Sequence, residues 1–462
     1  MNAQSRNGGE HEVDVVVIGA GPAGEVLAGR LASAGKAVAI VEGDLVGGEC
    51  AYYACMPSKA LLRAPELLRE VGRVPGAAEA LTGPIDVSAV LERRNEVVHD
   101  LHDDGQLPWL EHQGIELVRG HGRLDGERRV RVGDRVLRAR EAVVIAVGSG
   151  SLLPPIPGLR EARTWSNREV TTADSVPRRL GILGGGVVGV EMAQAWQALG
   201  AQVTVIEALD GLLYREEPFA GELVGEALRE SGVEIRLGAK ATGVSRDDAG
   251  VTIELEHGPP VSVDELLVAI GRHPLTDDLG LDTVGLEAGK KIEVDASLRV
   301  PGLDWLYAIG DVNGRALLTH MGKYQAVHAA NAILGGTADL RIDGALSPRV
   351  VFTDPQVAAV GHTLKTATEA GLAVREIDLG TGSTAGASFI GRNAPGTTRF
   401  VVDTEREVLV GATFVGVEVS EFVQAATIAV VGEVPMATLA HAVPAFPTRS
   451  ELWLKFTDAY AR

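Results

Sequence analysis

The chain has only two cysteines in 462 residues, Cys50 and Cys55. So few argue against a disulfide-stapled secreted scaffold and for a reducing cytoplasm. Basic residues are the minority sign, 43 Lys and Arg against 62 Asp and Glu, for a net charge of −19, and they form no cluster. Nucleic acid and anionic membrane surfaces are therefore poor partners. No uninterrupted apolar run reaches membrane-spanning length. Residues 1–12 are polar and lack the pattern of a signal peptide, so they are read as a frayed tail.

What is abundant is glycine, 57 residues, set in short turns between apolar runs, with 45% hydrophobic residues overall. That pairing is the mark of α/β architecture, and the length suits about three domains. The run VDVVVI (13–18) is apolar but for Asp14, the pattern of a strand buried on both faces. GAGPAG follows, with Gly19, Gly21 and Gly24 in G-x-G-x-x-G spacing, then a helical segment, a second strand and a terminal acid, Glu42. Each part has a physical role in holding a dinucleotide. The first glycine makes the tight turn, and the second lets the backbone approach a pyrophosphate. The third lets helix and strand pack, and the acid accepts from ribose hydroxyls.

The unit recurs. LGILGGGVVGVEMAQAWQALGAQVTVIE repeats strand, glycine turn, helix and strand, with Gly184, Gly186 and Gly189 in the same spacing and Glu207 as the acid. Two fingerprints imply two nucleotides in two domains. A duplicated sensor module is the non-enzymatic alternative.

Both cysteines lie in GGECAYYACMPSK (47–59), directly after the first unit and ahead of a helical run. A cysteine at a helix start feels the positive end of the dipole, which favours the thiolate. A second nearby can resolve a mixed disulfide. Taken alone the pair is equally readable as two structural thiols. Beside nucleotide units it fits a relay in which a nicotinamide gives hydride, a flavin passes electrons on and a disulfide accepts them.

Elsewhere the signals are coarser. Residues 66–113 read as one or two helices with a Pro/Gly interruption. His99 and His102 there have the look of a metal pair, but a solvated acidic face accounts for them and no further ligands follow. Residues 115–140 read as short strands. EAVVIAVGSG ends an apolar strand at Gly148 and Ser149, and PPIPG then marks a boundary. DELLVAIGRHP and WLYAIGDVNG each end a further strand, the second carrying Gly310 and Asp311. Beyond about 346, alternating stretches such as TTRFVVDTEREVLVGATFVG predict an antiparallel sheet with helices.

Together these landmarks resemble the class I pyridine nucleotide–disulfide oxidoreductases, among them dihydrolipoyl dehydrogenase, glutathione reductase and mercuric reductase. Residues 47–59 fit the family motif GG-x-C-x4-C-x-P-S/T-K at every fixed position, AIGD (308–311) resembles its second FAD signature, and VFTDPQVAAVG resembles the start of its dimerisation domain. The resemblance implies two Rossmann-like dinucleotide domains and a C-terminal α+β dimerisation domain. The expected boundaries are FAD binding at 13–153 and 276–345, NAD(P) binding at 154–275, and dimerisation at 346–462. It implies FAD on the first glycine turn, with Glu42 on the adenosine ribose, Asp311 on the ribityl side and the 120–122 turn, with Gly122, near adenine. Ser149, Gly310 and Leu317, Leu318, Thr319 and His320 are further expected flavin contacts. NAD(P)H is expected on the second turn, with Glu207, Ala241 and Gly271. Cys55 is the implied thiolate against the flavin and Cys50 the exchanging thiol. Lys59 is expected near the flavin, paired with Glu191, which without the resemblance reads as an ordinary helix-surface acid.

Departures bear on the substrate. The family's H-P-T-x-x-E stretch is FPTRSE here, so Thr448 and Glu451 fit while Phe446 stands where the histidine belongs, and His441 is out of register. Val187 and Val188 replace the Tyr-Ile of many relatives. Both features are more like mercuric reductases, yet the chain ends KFTDAYAR without their cysteine pair, and a metal-capturing N-terminal module is absent. The expectation is a cytoplasmic, homodimeric FAD enzyme. It takes hydride from a nicotinamide, NADH rather than NADPH because Glu207 repels a 2′-phosphate. It passes electrons through Cys50 and Cys55 to a small-molecule acceptor, with Glu451 retained at the partner-facing end and no metal site. Dihydrolipoyl dehydrogenase, a metal-ion or quinone reductase, and a low-turnover flavin sensor are the alternatives.

Overall fold

The computed structural model describes residues 10–462. The chain forms two compact units, one of residues 10–56, 95–150 and 272–344, the other of 57–94, 151–271 and 345–462.

The first unit is built on strand His11–Ile18, which pairs in parallel with Val38–Glu42 on one side and Arg135–Ile145 on the other. Val15, Val16 and Val17 are fully buried, as expected of a central strand covered on both faces. Glu116–Arg119 and Leu306–Ala308 extend the parallel sheet, and Gly122–Leu124 and Arg129–Val132 add an antiparallel edge. Helices Pro22–Ser33 and Thr319–Ile333 pack so closely that a Cβ on Gly322 would lie 3.3 Å from that of Ala23.

The first strand starts earlier than its apolar run. His11 and Glu12 pair with Leu137 and Arg138, within the stretch read from sequence as tail. Backbone pairing needs no apolar side chain, so hydropathy missed it. The rest of that expected tail, residues 1–9, lies outside the described residues.

The second unit repeats the plan. Arg179–Leu183 lies between Gln202–Ile206 and Glu265–Val268, all parallel, with Glu234–Arg236 at the edge. A three-stranded antiparallel sheet follows over Ala241–Asp247, Gly250–Leu255 and Val261–Val263. The expected C-terminal sheet is present as five antiparallel strands, in the order Arg349–Val351, Gln356–Gly361, Val408–Gly416, Thr397–Asp403, Val374–Gly380. Its core is aromatic: Phe400 stacks on Phe456 at 4.0 Å between centroids and meets Phe414 edge-on. No helix among the described residues is long and apolar enough to cross a membrane.

Candidate active site

The two glycine turns are near copies. Gly19 and Gly184 have φ of 106° and 110°, and a Cβ on either would meet a carbonyl oxygen, of Ala146 or Ala269, at 2.5 Å. A Cβ on Gly24 would lie 2.0 Å from the oxygen of Gly19, and one on Gly189 would lie 1.9 Å from that of Gly184. These four glycines are required by the chain's own backbone. The middle glycines are not: Gly21 has only the Cα of Gly48 at 3.9 Å, and Gly186 has nothing within 4 Å. Both cap their helices without a side-chain hydrogen bond. Each turn therefore leaves a clear backbone face and free N–H groups at a helix N-terminus, the arrangement that receives a pyrophosphate. The residues fit the two dinucleotides that the sequence implied.

The acids repeat as well. Glu42 accepts from the Ala20 N–H at 2.7 Å and the Asp44 N–H at 2.7 Å. Glu207 accepts from Gly185 at 2.6 Å and Leu209 at 2.8 Å. Each carboxylate thus ties its glycine turn to the loop after the second strand. Lone pairs remain on both for a ribose hydroxyl.

The cysteine stretch docks on the first turn. Gly47 N–H donates to the Ala20 oxygen at 2.8 Å, and a Cβ on Gly48 would lie 2.7 Å from the Cα of Gly21. Cys50 lies in the short helix Gly48–Tyr52, and Cys55 is the first residue of helix Cys55–Arg73. Both are free, half-buried thiols. They are hydrogen-bonded to each other, and that bond together with burial pushes the Cys50 thiol up, against a hydrogen bond from Thr319 and the charge of Lys323. Cys55 Sγ lies 3.5 Å from Thr319 Oγ1, at the start of helix Thr319–Ile333, which follows Leu317 and Leu318. The next residue, His320, belongs to the same first turn.

Asp311 sits in the turn Gly310–Asn313. Burial raises its carboxyl, opposed by Ser149, whose hydroxyl donates to it at 2.6 Å, and by the Arg272 charge. Arg272 in turn donates to Ser149 Oγ at 2.7 Å and lies 3.4 Å from Glu49. The Gly310 N–H is held by the buried Gln325 at 2.9 Å. The sequence reading gave neither Arg272 nor Gln325 a role. The only available signal for Arg272 was its position just past a strand end in AIGRHP. Gly122 packs against Val41 and Ile18, where a Cβ would be 2.9 Å and 3.1 Å from their side chains, so packing alone requires glycine there.

In the second unit Lys59 Nζ reaches Glu191 Oε2 at 2.7 Å and lies 4.7 Å over the Phe352 ring. The other Glu191 oxygen accepts from the Phe352 N–H at 2.9 Å. Glu191 is only 3% exposed, so the surface-acid reading is wrong; both its oxygens are bonded, which is what burial of a carboxylate demands. Gly271 follows strand Glu265–Val268, with φ of 151°. Ala241 opens the antiparallel sheet instead of lying on the parallel sheet that carries the turn. Val187 and Val188 are exposed at the start of their helix. Phe446 is 76% exposed, and Glu451 begins the last helix with Oε2 buried and without a partner among the described residues. His99 and His102 are exposed, and no group of three or more potential metal ligands occurs among the described residues.

Comparison with known proteins agrees with this geometry. Residues 13–333 match the pyridine nucleotide-disulphide oxidoreductase family and 347–456 match its dimerisation domain. The dihydrolipoyl dehydrogenase of Haloferax volcanii is 32% identical over 456 residues, 95% of this chain and 94% of that protein. The mercuric reductase of Acidithiobacillus ferrooxidans is 32% identical over 440 residues, 93% of this chain and 79% of its own. The HOCl-induced flavoprotein disulfide reductase RclA from Escherichia coli superposes with a TM-score of 0.84 at 26% identity, covering 96% of this chain and 99% of that one. The chain belongs to the pyridine nucleotide–disulphide oxidoreductases, FAD-dependent enzymes that use a pyridine nucleotide.

The contrast between required and unrequired glycines is testable. Gly186→Ala adds a methyl group that meets no protein atom, so unfolding should shift by no more than about 0.5 kcal/mol, while the KM for the nicotinamide nucleotide rises. Gly189→Ala drives a Cβ into a backbone oxygen and should cost about 1–3 kcal/mol or more. Equal stability losses in the two variants, read by denaturant unfolding, would contradict the assignment.

Proposed function

We propose that this protein is a homodimeric, cytoplasmic NADH-dependent reductase whose Cys50–Cys55 pair hands electrons to an acceptor needing little proton transfer at the thiols. In this reading residues 13–153 and 276–345 hold FAD, 154–275 hold the nicotinamide nucleotide, and 346–462 meet the second subunit. The observation that carries the redox assignment is the hydrogen-bonded thiol pair, docked on a glycine turn and capped by Thr319.

Bound FAD supplies the two-electron relay between nicotinamide and disulfide. The chain does the rest. Gly21 and Gly186 leave the backbone faces on which the two pyrophosphates rest, and Glu42 and Glu207 offer lone pairs to ribose. Asp311, braced by Ser149 and Arg272, holds the ribityl side. One hydride equivalent from NADH breaks the S–S bond and leaves one thiolate and one thiol. The raised Cys50 thiol keeps the proton, so the charge falls on Cys55 at its helix start. Lys59, fixed by Glu191, is the neighbouring cation on the same helix.

Two observations support the finer points. Glu207 ends the strand where a 2′-phosphate would lie. Of the nearby cations, Arg215 is exposed and bonded to Tyr214, and Arg236 is bonded to Glu234 and the Pro259 oxygen. Each is thus partly engaged already, which weakens its answer to a phosphate. On the acceptor side, Phe446 can neither give nor take a proton, and Glu451 keeps a buried oxygen with nothing to orient. A general base typically contributes ~10²–10⁴-fold. Dihydrolipoamide, which must be deprotonated to attack, suffers most from the loss; a quinone, an electrophile or a soft metal ion suffers least.

Anaerobic reduction of the purified yellow protein should give a long-wavelength thiolate–flavin absorption band, and Cys55→Ala should lose the band while keeping FAD; a wild type without the band at every stage would sink the dithiol assignment. The kcat/KM for NADH should exceed that for NADPH, and the reverse order would overturn the reading of Glu207. Dihydrolipoamide:NAD⁺ activity should be weak and should rise in Phe446→His. Wild-type turnover at the roughly 10–10³ s⁻¹ of efficient enzymes would refute the acceptor proposal.

A further inference from the structure

One carboxylate beside the thiols has no place in the scheme above. Glu25 follows the third glycine of the first turn and lies on helix Pro22–Ser33, among the buried Gly24, Leu27, Ala28 and Leu31. Its Oε1 is buried without a hydrogen-bond partner among the described residues. The fold does not ask for an acid here. At the same place in the second turn, directly after Gly189, stands Val190, fully buried. The two turns match in the contacts of their first and third glycines and in their terminal acids. They differ at this position, and only the first turn has cysteines docked on it.

The groups that face Glu25 form a short chain to the sulfurs. Helix Thr319–Ile333 packs on helix Pro22–Ser33 through Gly322 and Ala23. Thr319, the first residue of the second helix, hydrogen-bonds both cysteines. Lys323 lies one turn beyond Thr319 on the same face of the helix. Its charge acts on Glu25 and on Cys50 alike. Glu42, at the end of the second strand, and Tyr52, beside the cysteines, are the other titratable groups that Glu25 feels or influences. Behind Tyr52 lie Asp103 and Arg119, which are paired to each other at 2.6 Å.

We infer that Glu25 and Lys323 are positioning residues of the thiol pair, a charge couple in which Glu25 takes up a proton when the cysteines become anionic, leaving the Lys323 charge to stabilise the thiolate. The couple acts through electrostatics alone and makes no bond to sulfur. The sign follows from the charges. With Glu25 ionised, Lys323 is compensated and the thiols hold their protons; with Glu25 neutral, an uncompensated ammonium faces them. Burial, opposed by Lys323 and reinforced by Glu42, pushes the Glu25 carboxyl up to about 7, so the couple changes charge near neutral pH. Reduction of the disulfide by one hydride equivalent yields thiol and thiolate, and the proton bound by Glu25 offsets that new negative charge. The proton comes from solvent, and the electrons come from the nicotinamide.

The inference rests on Cys50 and Cys55 being the redox pair. The test therefore reads the pair first and the couple second. The holoenzyme is reduced anaerobically with NADH, and the long-wavelength band and the rate of iodoacetamide alkylation are followed against pH. With two cysteines in the chain, alkylation reports these sulfurs alone. Glu25→Gln should move the midpoint of thiolate formation down by about half a pH unit, a roughly threefold faster alkylation below the midpoint. Lys323→Met should move it up by about as much, and the double variant should return towards wild type. A structural role would not move the midpoint in opposite directions. Coincident midpoints, or shifts of the same sign, overturn the couple; a wild type with neither band nor alkylation protected by oxidation overturns the redox pair instead. Lys323→Met changes a side chain on an exposed position, so it keeps the test decisive should Glu25→Gln fold poorly.

Discussion

A backbone oxygen occupies the space that a side chain would need at Gly24 and again at Gly189, about 2 Å from where a Cβ would be. That exclusion fixes the rest. With helix and strand in contact, the turn before the helix must bend back under its first glycine, and its second glycine is left facing outwards. The helix N-terminus then stays uncapped, and the acid at the end of the next strand reaches back to bond the turn. An open, positive backbone edge is produced in a chain whose net charge is −19. Long-range charge repels an anionic cofactor here, so attraction has to be local: oriented N–H groups within hydrogen-bond distance, where screening by salt and distance does not reach.

The same constraint governs the thiols. Gly48 approaches Gly21 so closely that a side chain on Gly48 would meet the Gly21 backbone, and the Gly47 N–H is bonded to the Ala20 oxygen. The cysteine helix is thus indexed to the turn that is free to hold a dinucleotide. Burial and the bond to Cys55 push the Cys50 thiol up. A two-step exchange needs one sulfur to carry charge while the other keeps its proton.

The frame was legible in the sequence because its signals are local. VDVVVI is almost wholly apolar because the strand is covered on both faces, and the glycine spacings report backbone contacts within one turn. The cysteine at a helix start was legible for the same reason. Partnerships across the chain were not. The bond between Glu191 and Lys59 spans 132 residues and that between Cys55 and Thr319 spans 264, and the resemblance supplied only the first. Ser149 and Asp311 could be placed by motif, but the arginine that braces them lies in an unremarkable strand end. Glu25 was hidden by a different ambiguity. An acid in a first helical turn is also what the helix dipole favours on an exposed surface, and only burial separates the two cases.

The duplication shows where chemistry has been added to a common scaffold. Each glycine-turn helix gives one position after its third glycine to a carboxylate, Glu25 directly after Gly24, and Glu191 two residues after Gly189. One residue of offset turns a helix face by roughly 100°, so the two acids look in different directions from equivalent helices. Glu191 faces Lys59 and is bonded at both oxygens, a closed pair. Glu25 feels the charge of Lys323, and its Oε1 is buried and unbonded among the described residues, so it can change protonation without breaking any hydrogen bond at that oxygen. A fully satisfied ion pair fixes geometry, and an incompletely satisfied one adjusts charge. The two glycine-turn helices carry one carboxylate of each kind, and the incompletely bonded one is on the copy that carries the cysteines.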